Sequence, residues 1–204
     1  MDLRRRAAEV PVGPLVAGDL AAAERVLARA FRDSPLNVAV IGSDPERRLR
    51  ANLCGAHALL PVALAHGLVL GARAADGLCG VLVATRPFAW PLPPPPLLAN
   101  LRRVFCQGLR VASRWGEVFD AFARVHLPDP HWYLATLGVD PEFQSGGRGS
   151  ALLASWLEGV AADAVPAWLE TDREANVGFY RRAGFEVELE VCVLDTRVWC
   201  MRRS

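Results

Sequence analysis

The stretch GVDPEFQSGGRGSALLASWLEGV, Gly138–Val160, places Ser145, Gly146, Gly147 and Gly149 directly in front of an apolar run with helical spacing. Glycine costs backbone entropy on folding and is a poor helix former, so several in a row mark a place where bare backbone is needed. Behind them, Leu152, Leu153, Trp156, Leu157 and Val160 fall on one helical face. Ahead of them, HWYLATLGV reads as a strand over Trp132–Val139. A strand that ends in a glycine turn and enters a helix exposes unpaired N–H groups at the positive end of the helix dipole, which is an anion site. The turn therefore suits a phosphate or pyrophosphate, with a plain tight turn as the competing reading. No Gly-Lys-Ser/Thr follows, so it is not a P-loop. G-x-G-x-x-G is absent, and no ribose-binding acid stands about 20 residues on, which excludes the dinucleotide fingerprint.

Working outward, the 204 residues suit one domain with a real core. Apolar residues make up 52% and charged residues 22%, an ordinary globular balance. A net charge of +1 gives no electrostatic case for nucleic acid or membrane as partner. Every basic residue is arginine, a compositional bias that weakens arginine abundance as a functional signal, and Arg4-Arg5-Arg6 reads as a solvated terminus. The five cysteines are scattered and form neither CxxC nor a Cys/His cluster. They argue against a disulfide scaffold or a zinc site and for a reducing compartment, the cytoplasm.

Other elements follow from local signals. Glu9–Val16 is a weak strand, and DLAAAERVLARAF a helix capped by Asp19. A helix capped at Ser43 or Asp44 and stopped at Gly67 is expected to kink or break at Pro61. Asp76-Gly77 signals a hairpin, WPLPPPPLL a stiff connector, and Leu97–Val125 two helices. Pro166–Glu170 is a short strand. Thr171 and Glu174 have capping-box spacing for a helix ending at Gly184, and Phe185–Val193 with Val198–Arg202 form a closing antiparallel pair. The order predicts a mixed α/β (α+β) single domain.

Gln144-Ser145-Gly146-Gly147-Arg148-Gly149 fits Q-x-x-G-x-G and resembles the acyl-CoA pyrophosphate loop of the GNAT superfamily of N-acetyltransferases. With HWYLATLGV, WLETDREANVGFYRRAGF and VWCMRR, the region Trp132–Arg202 is most similar to the puromycin N-acetyltransferase-like family. The resemblance implies a central, mostly antiparallel sheet with one splayed parallel strand pair, flanked by helices. It implies a single domain over 1–204, with 1–130 as the variable acceptor side and 131–204 as the acyl-CoA half.

By the same resemblance, Gln144, Ser145, Gly146, Gly147, Arg148, Gly149 and Ser150 hold the pyrophosphate of acetyl-CoA, and no metal is needed. Leu137, Gly138 and Val139 pair with the pantetheine amides like an added strand. Asn176 hydrogen-bonds the pantetheine arm, and Tyr180 protonates the departing thiolate. Glu170, ending the apolar run PAWLE, is a reasonable general base, with His131 a weaker alternative. The expected acceptor is a small-molecule amine, and the protein a monomer or homodimer. Phe31, Asp33 and Trp90, with Phe105, Trp115 and Phe119, are candidate acceptor-wall residues, although each suits a core as well. A peptide N-terminal acetyltransferase and a non-catalytic acyl-CoA-binding module are the competing functions.

Overall fold

The computed structural model describes residues 10–204, so Arg4–Arg6 and Glu9 lie outside the described residues. The chain opens with strand β1 (Val12–Pro14) and helices α1 (Leu20–Ala30), α2 (Pro35–Ile41) and α3 (Pro45–His66). The hairpin β2 (Leu68–Ala74) and β3 (Gly77–Thr85) follows, then α4 (Leu97–Gln107) and α5 (Leu109–Val125). The second half runs β4 (Trp132–Val139), α6 (Arg148–Asp163), β5 (Ala167–Thr171), α7 (Glu174–Arg181), β6 (Glu186–Val193) and β7 (Thr196–Arg203).

The seven strands form one sheet in the order β1-β2-β3-β4-β5-β7-β6. Every neighbouring pair is antiparallel except β4 and β5, which run parallel. Strand alternation divides the side chains between two faces. Leu82 and Ala84 of β3, Trp132 and Leu134 of β4, Leu169 of β5 and Met201 of β7 pack with Leu152, Trp156 and Val160 of α6 and Tyr180 of α7. On the other face, Val81 and Val83 pack with Val26 and Leu27 of α1 and Leu60 and Ala63 of α3. A third cluster joins α2 and α5 to the β6–β7 hairpin through Leu36, Val40, Val118, Val193 and Val198.

Several local expectations change. Asp44 caps α3, but the helix continues through Pro61 as one 22-residue element, its lost backbone bond offset by packing on α1 and α4. Asp19 does not cap α1; its carboxylate accepts from the Val16 N–H and from Arg73. Thr171 belongs to β5 and no side chain caps α7, which ends at Arg181, three residues before the left-handed Gly184. The expectation of no disulfide is overturned too: Cys54 of α3 and Cys106 of α4 are bonded, their Cα atoms 6.5 Å apart. Helix packing brings these two together across 52 residues, a proximity that sequence spacing does not encode. Among the described residues no helix is long and apolar enough to cross a membrane.

Candidate active site

Parallel pairing of β4 and β5 runs from Trp132↔Ala167 to Leu134↔Leu169 and stops there. β4 nevertheless continues to Val139 along β3, and β5 to Thr171 along β7. Past that last rung the two strands diverge, leaving backbone edges that face one another without pairing. An extended amide-bearing chain can add to such an edge.

A cleft of about 560 Å³ opens at this divergence. Leu137, Gly138 and Val139 of β4, the loop residues Gln144, Ser145 and Gly147, the start of α6, and Asn176 and Tyr180 of α7 all line it. Phe31 and Ser34 close it from the α1–α2 side.

The loop presents unpaired backbone donors. Gly147 is the α6 N-cap at φ +80°, a left-handed conformation that glycine adopts without a Cβ clash, and Ser145 sits at φ +64°. No side chain caps α6, and its first helical bond runs from the Ala151 N–H to Gly147 O. The N–H groups of Arg148, Gly149 and Ser150 therefore precede the helical ladder at the positive end of a 16-residue helix. Gln144 Nε2 donates to Val139 O at 3.0 Å and ties the loop to the end of β4. The Arg148 side chain folds back, donating to Phe143 O and lying over the Phe143 ring, 5.3 Å from its centroid. These features fit a pyrophosphate held by backbone donors.

Gly138 has a different reason to be glycine. A Cβ there would lie 2.9 Å from Leu27 Cδ2, 3.0 Å from Phe31 Cε2 and 3.1 Å from Ala30 Cβ, so α1 packs directly onto the β4 backbone. Gly138→Ala is expected to push α1 off the sheet and cost about 1–3 kcal/mol. Urea titration should show this as a lower midpoint at an unchanged m-value; an unmoved midpoint would mean that α1 yields freely.

Tyr180 is buried, and its phenol is held protonated well above the usual tyrosine range by burial and then by the negative charge of Asp172. Asn176 Nδ2 donates to Thr171 Oγ1 at 3.1 Å, a local bond that orients its amide in the cleft wall. Glu170 sits one residue past the last parallel rung and is not among the cleft-lining residues; its neighbours Thr171 and Asp172 lead into the cleft. Burial pushes its carboxyl up to about 7 despite hydrogen bonds from Tyr133 and Trp168 that act in the opposite direction. His131 is occupied elsewhere, with Nδ1 on Asp129 O and Nε2 on His126.

Of the expected acceptor-wall residues only Phe31 lines the cleft. Asp33 is paired with Arg48 and Arg32, at 2.7 Å each, and does not line the cleft. Trp90 stacks on His126 at 3.5 Å between ring centroids and is likewise outside it. Phe105 points to solvent, 93% exposed. Conversely, Arg173, Arg182, Phe179 and Asp172 line the cleft without having been singled out. The two arginines were hidden by the all-arginine composition, in which no single one stands out. Asp172 accepts the Leu36 N–H at 2.8 Å and so ties α2 to the cleft.

Residues 105–187 match the family model described as acetyltransferase (GNAT) domain. That segment, less than half of the chain, is similar to a GNAT acetyltransferase domain. The matched segment holds the loop, the diverging strands and α7, which together form the cleft. The chain is also 36% identical over 90 residues to a mycothiol acetyltransferase of Streptomyces griseus subsp. griseus, covering 41% of this chain and 29% of that one. The chain thus spans less than a third of the length of that relative. In three dimensions the GNAT fold extends over nearly the whole chain. A Corynebacterium glutamicum structure described as histone acetyltransferase HPA2 and related acetyltransferase superposes with a TM-score of 0.72 at 23% identity, covering 95% of both chains. The PaiA N-acetyltransferase of Thermoplasma acidophilum, solved in complex with coenzyme A, superposes with a TM-score of 0.60 at 17% identity, covering 96% of this chain and 99% of that one.

Proposed function

We propose that the protein is an acetyl-CoA-dependent N-acetyltransferase that acetylates a primary amine of a small molecule by direct transfer in a ternary complex. The observation that carries this reading is one continuous cleft. It joins the glycine loop at the α6 N-terminus to the end of β4 past its last rung with β5, and to Asp172 and Tyr180. Residues 144–150 would hold the pyrophosphate through backbone N–H groups, with Arg173 and Arg182 adding positive charge along the same wall. Residues 137–139 would pair with the pantetheine arm, beside Asn176.

The thioester supplies an activated acetyl carbonyl. Glu170 removes a proton from the acceptor ammonium, directly or through a water. The freed nitrogen attacks the carbonyl carbon, the carbon–sulfur bond breaks, and Tyr180 gives its proton to the departing sulfur. Burial suits both residues to these tasks, because it raises the carboxyl toward neutrality and keeps the phenol protonated. Tyr180→Phe is therefore expected to lower kcat by about 10²-fold while leaving the acetyl-CoA Kd within about twofold. Stopped-flow turnover beside calorimetric binding would read both, and an unchanged kcat would remove Tyr180 from this role.

The likeness of Trp132–Arg202 to the puromycin N-acetyltransferase-like family and the mycothiol acetyltransferase match both favour a small-molecule acceptor. In this reading residues 1–130 form the acceptor side, with Phe31 and Ser34 reaching the cleft, and residues 131–204 the acyl-CoA side. A resistance or biosynthetic role would follow from the acceptor. The test is mass spectrometry of a pool of small amines, puromycin included, incubated with acetyl-CoA and the protein. An acetylated amine supports the proposal. Acetylation of peptide N-termini alone would replace it with a peptide acceptor, and no product with coenzyme A retained would replace it with a binding module.

A further inference from the structure

Glu170 is held in an unusual way for a half-buried carboxylate. Tyr133 Oη donates to its Oε2 at 2.8 Å, and Trp168 Nε1 donates to its Oε1 at 2.6 Å. Each oxygen thus has its own donor, and both donors are neutral. None of the ion pairs among the described residues involves Glu170.

The sheet register produces this arrangement. Tyr133 and Trp168 are cross-strand partners in the parallel β4–β5 pair, one rung before pairing ends. Trp168 and Glu170 are two residues apart on β5 and so share the face opposite Leu169. One charged group shares this face: Arg202 of β7, directly across from Trp168, whose guanidinium pairs with Glu188 at 3.7 Å. Cys200 of β7 stands directly across from Glu170, its thiol pushed up to about 12 by burial and then by the carboxylate. The Tyr133 phenol is pushed well above its ordinary range, chiefly by burial. Its ring is flanked edge-on by Trp90 and His126, and burial holds His126 down at about 4 and His131 below its ordinary value, leaving both imidazoles uncharged near neutrality.

Resting on the assignment of Glu170 as base, we propose that Tyr133 and Trp168 are positioning residues, a neutral two-donor clamp that orients the carboxylate without a cation. A guanidinium in their place would orient the carboxylate equally well but stabilise its charge so strongly that it would be a poor base at neutral pH. The donors differ in one respect. An indole N–H can only donate, whereas a phenol can also accept. Trp168 thus keeps Oε1 an acceptor. The proton taken from the ammonium resides on Oε2, where the Tyr133 hydroxyl can turn to accept it until the proton leaves to solvent.

The test needs no acceptor. Protein labelled with ¹³C at the glutamate Cδ positions is titrated by NMR, with the Glu170 resonance assigned by its loss in Glu170→Gln. The clamp predicts a wild-type midpoint near 7 that moves up by about one unit in Tyr133→Phe, because a donor to the charged form is lost. Trp168→Phe should move it in the same direction. Kinetics on the amine acetylated best in the screen should show the acid limb of kcat/KM moving by the same amount, so that Tyr133→Phe is impaired at pH 6.5 and recovers by pH 9. An unmoved midpoint in both variants would overturn the clamp. Full turnover by Glu170→Gln would instead overturn the base assignment, and the NMR shift would still decide whether the clamp exists.

Discussion

Glu170→Gln is expected to lower kcat/KM for amine acetylation by about 10²–10³-fold at pH 7.5, the usual range for a lost general base. The pH dependence follows from the raised carboxyl. Only the deprotonated form can accept a proton, so wild-type kcat/KM should climb through about pH 7 and then level off. The plateau extends upward because Tyr180, the proposed acid, stays protonated beyond the ordinary tyrosine range. In Glu170→Gln the limb near 7 should vanish. A slope-one rise should replace it, continuing toward the amine's own ionisation at about 10, since the fraction of free amine then sets the rate. A variant that keeps wild-type rates, or the same limb near 7, would show that another group takes the proton. The glutamine keeps an oxygen for Trp168 and an amide that the Tyr133 hydroxyl can accept from, so folding should survive the change.

Gly147→Val should act on the other substrate, raising the Kd for coenzyme A by about 10–100-fold. Two effects combine. A β-branched residue at φ +80° is strained, so the loop must rearrange to relieve it. Rearrangement moves the N–H groups of Arg148, Gly149 and Ser150, the first turn of α6, which the anion needs in register. Calorimetric titration with coenzyme A reads this directly, and unaltered affinity would sink the pyrophosphate assignment. Gly149→Ala is the informative contrast. A Cβ there meets only Val139 and Phe179 atoms at 3.7 and 3.8 Å, ordinary contact distances, so the substitution should be well tolerated.

The two glycines show how far local sequence carries. Gly147 reads as part of the glycine loop and Gly138 as part of the strand edge, and neither reading says why a Cβ is excluded there. The left-handed cap at Gly147 and the packing of α1 against Gly138 are separate reasons, visible only once α1 lies on β4. Pro61 makes the same point in reverse: a strong local breaker is overridden where α3 is packed along its length.

What the sequence by itself determined is whatever short-range physics controls. Alternation and 3.6-residue spacing placed the strands and helices of the second half, and glycines ahead of an apolar run announced the turn into α6. Tyr180 and Asn176, four residues apart on α7, were singled out by the family resemblance and not by spacing, and the structure puts both in the cleft wall. The tertiary structure alone decided which distant groups meet. It turned Asp33 toward Arg48 and Arg32, stacked Trp90 on His126, joined Cys54 to Cys106, and drew Arg173 and Arg182 to the cleft. It also enclosed Glu170 between Tyr133 and Trp168. A carboxylate's identity is written in the sequence, but its proton affinity depends on desolvation and on donors brought from other strands, and those exist only after the sheet has closed.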